Sequence, residues 1–234
     1  MLAAMELLEG LATTRAIRRY AETPVTDQQL ASVMWAATRA PSGSNRQPFR
    51  FVVLRDGPRA AVARGLLGEA ARRMWAGKQT TDGYAAGSGA DPTSAKARMA
   101  RTMQHYTEHF AEAPVIVLAC LVRYRDPNPY EGSSVYPACQ NLLLAARAIG
   151  LGGVLTQIQM LVGDDLAAAL GIPDHVALHA TITLGHPAGH HGPVRRRPFG
   201  ELVFEDGWEQ SPAWAVDPRG TLWTQAGPPT SGRR

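Results

Sequence analysis

Residues 114–122 read Pro-Val-Ile-Val-Leu-Ala-Cys-Leu-Val, an uncharged apolar run that is rich in β-branched side chains. A run of this length without alternating polar residues is typical of a strand buried on both faces of its sheet. The same run is about half as long as a membrane span requires. It therefore predicts a core strand of a globular protein.

Helical and strand patterns alternate on both sides of this run. Further strands are predicted at 49–54, 154–158 and 176–184. Helices are predicted at 5–17, 26–40, 59–76, 93–111, 134–149 and 164–171. The second helix has a capping box, because Thr26 is followed three residues later by Gln29. From these patterns alone the fold class is α/β or α+β.

The patterns predict one main domain with a short tail. No linker divides residues 1–205, and the segment at about 59–111 reads as a helical insertion between two core strands. Residues 206–234 are rich in Trp, Pro, Gly and polar side chains, so we expect an extended or disordered C-terminal tail.

Composition excludes several classes of protein. The chain of 234 residues is 45% hydrophobic and 19% charged, which is ordinary for a globular protein and unlike a disordered chain. No apolar stretch reaches membrane-spanning length, and the N-terminus lacks a basic, then apolar, signal pattern. The two cysteines, Cys120 and Cys139, are far apart and form no metal or redox motif. We expect a cytoplasmic protein without a disulfide.

The net charge of +4 and the pI of about 9.4 reflect arginines that are dispersed, except for Arg195–Arg197. A small anion such as a phosphate suits these local arginine clusters better than a nucleic acid does. His186, His190 and His191 lie in a loop rich in glycine and proline, with no neighbouring carboxylate. We therefore expect neither nucleic-acid binding nor a bound metal.

The loop Ala40–Phe51, which reads Ala-Pro-Ser-Gly-Ser-Asn-Arg-Gln-Pro-Phe-Arg-Phe, carries the most chemical information. It offers two hydroxyls, the carboxamides of Asn45 and Gln47, and the guanidinium of Arg46. A heteroaromatic ring with alternating donors and acceptors needs such groups. A polar turn whose side chains only cap the backbone has the same composition.

A second polar segment, Thr13–Tyr20, reads Thr-Thr-Arg-Ala-Ile-Arg-Arg-Tyr. In the predicted helix, Arg15 shares a face with Arg18 or Arg19, so two guanidinium groups can meet one phosphate. Arg195–Arg197 would complete the anion site if the fold brings them there. A solvated basic helix end explains the same residues without a ligand.

Together these segments resemble the nitroreductase family of FMN-dependent oxidoreductases. The resemblance covers roughly residues 8–205 and includes the closing segment 183–203, Thr-Leu-Gly-His-Pro-Ala-Gly-His-His-Gly-Pro-Val-Arg-Arg-Arg-Pro-Phe-Gly-Glu-Leu-Val. It implies an α+β fold, in which a central mixed β-sheet is flanked by helices and two chains form an intertwined homodimer. Each of two FMN sites would lie at the interface, and the helical insertion would cover the substrate side.

The resemblance also implies the cofactor-binding residues. They are Arg15, Ala16, Arg18, Pro41, Ser42, Gly43, Ser44, Asn45, Gln47, Thr156, Gln157, Ile158, Arg196 and Arg197. The loop residues would come from the partner chain, and residues 156–158 would offer a backbone N–H to flavin N5. The family commonly reads Arg-Arg-Ser-x-Arg in the first segment, where this chain has Thr14 and Ala16 in place of the first arginine and the serine.

The activity that this resemblance implies is ping-pong electron transfer from NAD(P)H, through FMN, to a nitroaromatic, a quinone or a similar small acceptor. No side-chain acid or base is obligatory, so no catalytic residue is named, and positive charge near Arg18 would favour the reduced flavin. Pocket residues would come from 70–110. A flavin-binding sink or sensor without turnover remains open, as does a flavin-cleaving, dehalogenating or biosynthetic dehydrogenase enzyme with the same fold.

Overall fold

The computed structural model describes residues 5–219 as a four-stranded sheet between two helical layers. The helices are α1 (Leu7–Thr13), α2 (Asp27–Ala37), α3 (Pro58–Thr81), α4 (Ala95–Glu108), α5 (Tyr136–Ala148) and α6 (Gly163–Leu170). The strands are β1 (Phe49–Leu54), β2 (Val115–Val122), β3 (Gly152–Thr156) and β4 (Val176–Gly185). Among these residues no helix is both long and apolar enough to cross a membrane.

The sheet has the strand order β1-β2-β4-β3, and its three pairings are antiparallel. The expected α+β class is confirmed, but the described sheet is antiparallel rather than mixed. The helical hairpin of α3 and α4 causes the first antiparallel pairing, because two helices return the chain to the end of the sheet at which β1 stopped.

The predicted core strand is β2, and it is buried on both faces. Helices α3, α4 and α6 pack on the face that carries Ile116 and Leu118. Helices α2 and α5 cover the opposite face, which carries Val117 and Ala119. The two thiols are free, and burial raises the pKa of Cys120 to about 11 and that of Cys139 to about 12. Both cysteines are therefore unreactive core residues.

Local sequence signals place helix α2 correctly. The Thr26 hydroxyl accepts a hydrogen bond from the Gln29 N–H at 3.2 Å, and the Gln29 side chain accepts one from the Thr26 N–H at 3.0 Å. This is the predicted capping box. Two of the four otherwise unpaired donors at this helix end are thereby satisfied.

Several helix and strand boundaries differ from the prediction, and two of these differences matter for the site. Helix α1 ends at Thr13, and residues 14–19 are extended instead of helical. Strand β3 begins at Gly152 rather than at Val154. A Cβ added at Gly153 would lie 2.4 Å from the backbone oxygen of Thr183, so this strand approaches β4 too closely for a side chain at that position. Gly152 and Gly153, which look like loop residues in the sequence, are therefore strand residues.

The first part of the predicted tail folds back on the segment before it. The Phe199 N–H donates to Asp217 at 3.1 Å, and the Ser211 hydroxyl donates to the Gly200 carbonyl at 2.7 Å. The rings of Phe199 and Trp214 lie 6.1 Å apart. The remainder of the predicted tail, 220–234, lies outside the described residues, and the domain boundary at residue 205 stays a prediction.

We expect Gly153→Ala to destabilise the protein by about 1–3 kcal/mol, because the added methyl group meets a backbone oxygen that belongs to the β3–β4 ladder. The matched control is Gly65→Ala in α3, where an added Cβ meets no atom within 4 Å. That change should stabilise the protein by about 0.5–1 kcal/mol. Urea unfolding of both variants measures the difference, and equal stabilities would contradict the close approach of the strands.

Candidate functional site

The arginine segment runs in an extended conformation along one edge of the sheet. The Ile17 N–H donates to the Gly153 carbonyl at 3.0 Å, and the Arg19 carbonyl accepts from the Ala188 N–H at 3.0 Å. Successive side chains of an extended segment point to opposite sides. Arg18 is accordingly half-buried and Arg19 is exposed. The prediction that these arginines share one helical turn is wrong, because the hydrogen bonds of the segment go to the sheet instead of to its own backbone.

This segment forms one wall of a pocket of 300 Å³. Its lining residues are Arg15, Ala16, Ile17, Arg18, Arg19, Thr102, Pro187, Ala188, Gly189 and His190. Three of the lining side chains are arginines and one is a histidine, whereas none is acidic. The pocket therefore has the charge that suits an anion such as a phosphate.

A larger cavity of 640 Å³ shares Arg18 and Arg19 with this pocket. Helix α4 contributes His105 and His109, whose rings lie 4.5 Å apart, as their i, i+4 spacing predicts. Glu112 lies 2.7 Å from the His109 Nδ1 atom. Burial, followed by the positive charges of Arg19 and His109, lowers the pKa of His105. The imidazole of His105 is therefore biased towards its neutral form near neutral pH.

Three hydroxyl groups meet beneath Arg18, and pattern reasoning from the sequence missed this cluster. The Thr183 Oγ1 atom lies 2.7 Å from the Tyr20 hydroxyl and 2.9 Å from the Tyr106 hydroxyl. Tyr106 lines the larger cavity but is only 2% exposed. Burial raises the pKa of both tyrosines. The one sequence signal that pointed towards this cluster was the position of Tyr106 next to His105 and one helical turn before His109.

The loop between α2 and β1 is exposed and strained. Ser44, Asn45 and Gln47 have φ angles of 51°, 51° and 49°, a region that non-glycine residues seldom occupy. The Gln47 N–H donates to the Ser42 hydroxyl at 2.8 Å, and the Gln47 side chain donates to the Asn45 side chain at 3.1 Å. Conformations of this kind persist only where the surrounding contacts hold them, and they cluster at functional sites. Pro41 and Gly43 are exposed parts of the same loop.

The third predicted group lies where β3 ends. The Thr156 hydroxyl donates to the Thr181 carbonyl at 3.1 Å, and Ile158 is fully buried. Gln157 is exposed, and its side chain accepts from the Gln159 amide at 2.9 Å and donates to the Tyr136 hydroxyl at 3.4 Å. The start of helix α5 thus contacts this group.

The strained loop lies near the same start of α5, because the Gly43 N–H donates to the Ser134 hydroxyl at 3.5 Å. The loop and the end of β3 therefore share one end of the sheet. The arginine segment contacts Gly153, four residues before Gln157, which corresponds to about 13 Å along an extended strand. Within the described chain, the predicted cofactor-binding residues of the arginine segment thus lie near the start of β3, and those of the loop and of 156–158 lie near its end.

Arg196 and Arg197 form no described hydrogen bond or ion pair with either group. The chain that leads to them contacts the end of α1, where the Val194 N–H donates to the Ala12 carbonyl at 2.8 Å. Arg196 donates to the carbonyl of Arg195 at 2.9 Å, and Arg197 lies 4.0 Å from Glu201. Neither side chain lines the arginine pocket among the described residues.

A β-bulge directs one further polar residue to the loop end of the sheet. Ala119 pairs with Ala180 and Cys120 with Leu178, so His179 is the extra residue of β4. Its Nε2 atom lies 3.4 Å from a carboxylate oxygen of Glu131, and this carboxylate accepts two hydrogen bonds from Arg123, at 2.8 and 3.1 Å. The Tyr136 ring packs edge-on against the imidazole at 5.9 Å.

Comparison with known proteins decides the family. The model of the nitroreductase family matches residues 11–186. The chain belongs to the nitroreductase family. It is therefore an oxidoreductase, and the expected family and enzyme class are confirmed. The matched range contains the arginine segment, the strained loop and the end of β3, but it stops before Arg196 and Arg197.

Individual nitroreductase relatives cover most of the chain. The NADH dehydrogenase of Thermus thermophilus is 30% identical over 198 residues, which are 81% of this chain and 91% of that protein. The 5,6-dimethylbenzimidazole synthase of Rhodospirillum rubrum is 28% identical over 186 residues, 76% of this chain and 80% of the relative. A Desulfovibrio desulfuricans nitroreductase solved with FMN is 29% identical, covers 87% of this chain and 98% of its own, and has a TM-score of 0.63.

The ion pair at the bulge of this nitroreductase predicts a pH-dependent contribution to stability. The hydrogen bonds from Arg123 lower the pKa of Glu131, and the two side chains are 28% and 13% exposed. A carboxylate with a lowered pKa stabilises the fold above its unfolded-state pKa of about 4.3, and this stabilisation is lost as the pH falls through the folded-state value.

We therefore expect Glu131→Gln to lose about 1–3 kcal/mol at pH 7, and we expect the gap to wild type to close in acid. Urea unfolding at pH 7, 5 and 3.5 measures this gap. Glu201→Gln serves as the control, because its partner Arg197 is 4.0 Å away and both side chains are well exposed. A gap that stays constant across this pH range would contradict the role of the charged carboxylate.

Proposed function

We propose that this nitroreductase is an FMN-dependent oxidoreductase that transfers electrons from NAD(P)H to a nitroaromatic, a quinone or a similar small acceptor by a ping-pong mechanism. The observation that carries the proposal is the pocket at Arg15 and Arg18, which is lined by cationic side chains and by no acid. We further propose that the enzyme works in the cytoplasm as a homodimer without nucleic-acid or metal partners.

The residues at the arginine pocket fit an anionic cofactor. The Nε atom of Arg18 and the hydroxyl of Thr14 are buried without a hydrogen-bond partner among the described residues. Buried polar atoms of this kind are costly unless something satisfies them, and a phosphate oxygen accepts hydrogen bonds from both group types. Thr14 occupies the position where the family commonly has arginine, so its hydroxyl is a candidate replacement ligand.

The remaining predicted residues have the chemistry to hold the rest of FMN. Asn45 and Ser42 offer a carboxamide and a hydroxyl at an exposed loop, and backbone groups of 156–158 lie at the end of β3. When bound, FMN supplies the hydride and electron transfer that the protein's side chains lack. The guanidinium of Arg18 would favour the more negatively charged, reduced cofactor.

The proposed dimer would explain why the candidate cofactor-binding residues of one chain lie in separate groups. The strained loop exposes its polar groups to solvent, and helix α5 leaves Leu143, Leu144 and Ala145 only half-buried. A second protomer that covers α5 would bury this apolar surface. It would also bring its own loop to the arginine segment of the first chain, as the family resemblance implies.

The purified protein should be yellow, and heat should release FMN rather than FAD. Arg18→Ala should weaken FMN binding by one to two orders of magnitude, because a charge-assisted hydrogen bond contributes about 1.5–3 kcal/mol. Arg19→Ala should have a much smaller effect, since Arg19 is exposed and points to the opposite side of the segment.

Fluorescence titration of the apoprotein with FMN gives both dissociation constants. Anaerobic bleaching with NADH and with NADPH then tests turnover and distinguishes an enzyme from a flavin sink or sensor. If Arg19→Ala loses FMN binding while Arg18→Ala keeps it, then Arg19 rather than Arg18 faces the cofactor.

Light scattering of the FMN-bound protein should give twice the chain mass of 25.2 kDa. We expect Leu144→Glu, on the half-buried side of α5, to shift the protein towards monomer and to weaken FMN binding, because each site would need both chains. Val62→Glu on the exposed face of α3 is the matched control. A monomer that binds FMN as tightly as the wild type would exclude a shared site.

The second candidate function is that of a flavin-cleaving, dehalogenating or biosynthetic dehydrogenase enzyme with the same fold. The similarity of this chain to a protein named 5,6-dimethylbenzimidazole synthase supports this candidate. Chromatography of the flavin after aerobic turnover with NAD(P)H separates the two functions. Complete recovery of FMN supports the reductase, whereas loss of FMN in proportion to turnover supports the alternative.

A further inference from the structure

The hydroxyl cluster beneath Arg18 has a determined direction. The Tyr20 hydroxyl lies 2.8 Å from the Ile17 carbonyl, which can only accept, so Tyr20 uses its single proton there. The Thr183 hydroxyl, 2.7 Å from Tyr20, must then donate to Tyr20. The Tyr106 hydroxyl, 2.9 Å from Thr183, must in turn donate to Thr183. These contacts form a hydroxyl chain (Tyr106, Thr183, Tyr20) that ends on the Ile17 carbonyl.

The end point of this chain is the residue that precedes Arg18. The Ile17 N–H is held by the Gly153 carbonyl at 3.0 Å, and its side chain packs where a Cβ at Gly152 would come within 2.5 Å of it. The hydroxyl chain holds the third group, the carbonyl. With its N–H, side chain and carbonyl all held, Ile17 sets the direction in which the next side chain leaves the backbone.

The side chain of Arg18 depends on this backbone direction. Its Nε atom is buried without a partner among the described residues, and no described ion pair fixes its guanidinium. Two cavities, of 300 and 640 Å³, meet at this side chain. A small rotation of the Ile17–Arg18 peptide would therefore move the guanidinium between two open spaces.

Burial and protonation of the hydroxyl groups keep the direction of the hydrogen bonds in this chain fixed. Tyr106 is 2% exposed and Thr183 is fully buried, so the hydrogen bond between them is shielded from water. Burial also raises the pKa of both tyrosines, which keeps each hydroxyl protonated at physiological pH. The chain joins three elements that are distant in sequence: helix α4, strand β4 and the arginine segment.

We infer that Tyr20, Thr183 and Tyr106 are positioning residues that aim Arg18 at the anionic cofactor, and that α4 thereby influences how tightly the cofactor binds and how easily it is reduced. This inference rests on the proposed function. It goes beyond that proposal because none of these three side chains has to touch the cofactor. The relevant readouts are consequently FMN affinity and potential, rather than stability alone.

The test compares hydroxyl deletions in the full-length protein. Tyr20→Phe should weaken FMN binding about tenfold and make the flavin midpoint potential more negative, because it frees the Ile17 carbonyl directly. Tyr106→Phe should weaken binding about threefold, since the contact between Tyr20 and Ile17 remains. Tyr84→Phe is the control, because the Tyr84 ring packs against Trp75 of α3 and its hydroxyl has no hydrogen bond among the described contacts.

Position 183 provides the conservative rescue. Thr183→Val removes the hydroxyl at similar volume and should reproduce the loss of affinity, whereas Thr183→Ser keeps the hydroxyl and should bind FMN as the wild type does. FMN titration of each apoprotein, performed well below its melting temperature, separates binding from folding. These two variants decide the question even if Tyr20→Phe does not fold.

The Arg18→Ala variant distinguishes failure of the inference from failure of the proposed function. If Arg18→Ala loses FMN while the folded hydroxyl variants keep wild-type affinity and potential, the inference alone is overturned. If the variants only lower the melting temperature, the hydroxyl chain is structural and the inference is again overturned. If Arg18→Ala itself keeps full affinity, the proposed use of Arg18 fails, and the inference fails with it.

Discussion

The N-terminal segment can lie against the sheet because Gly152 carries no side chain. A Cβ at this position would come within 2.5 Å of the Ile17 side chain, and one at Gly153 would come within 2.4 Å of the backbone of β4. These two close approaches hold Ile17 at the sheet edge and place Arg18 between the two cavities. The geometry of the arginine pocket therefore depends on two adjacent glycines, because a side chain at either position would collide with Ile17 or with β4.

The sheet then separates the candidate cofactor-binding groups in space. Arginine side chains gather near the start of β3, whereas the strained loop at 42–47 and Gln157 lie near its end. A strained, exposed loop that ties its own carboxamides together is pre-organised for a partner surface. The proposed dimer would give this loop such a surface.

This nitroreductase also departs from the usual arginine motif of its family. By the resemblance, Thr14 and Ala16 stand where the family commonly has an arginine and a serine, and the described pocket is lined by Arg15 and Arg18 as well as by Arg19 and His190. Helix α4 contributes in a different way, because its His105 lines the larger cavity that Arg18 also lines, and its buried Tyr106 contacts Thr183. The helical insertion therefore lines the arginine pocket, through Thr102, as well as covering the core.

Several features could be predicted because they are written in short stretches of sequence. The apolar run of β2 determines its own burial, and the capping box at Thr26 is a local exchange of hydrogen bonds. The polar loop at 40–51 shows its composition directly, and its pattern led to the correct family. Its left-handed backbone at Ser44, by contrast, is not visible in composition, since serine does not favour that conformation.

The features that could not be predicted arise from contacts between distant parts of the chain. Residues 14–19 have a helical pattern of charges, but their backbone is extended because the sheet edge supplies its hydrogen bonds. The antiparallel pairing of β1 with β2 depends on the α3–α4 hairpin that connects them, and no local sequence pattern encodes how these two helices pack. The hydroxyl chain joins residues 77 and 163 positions apart. By itself, the sequence determined which segments are buried and which family the chain resembles; only tertiary packing decided where Arg18 points, because its direction depends on neighbours that the fold brings from three separate elements.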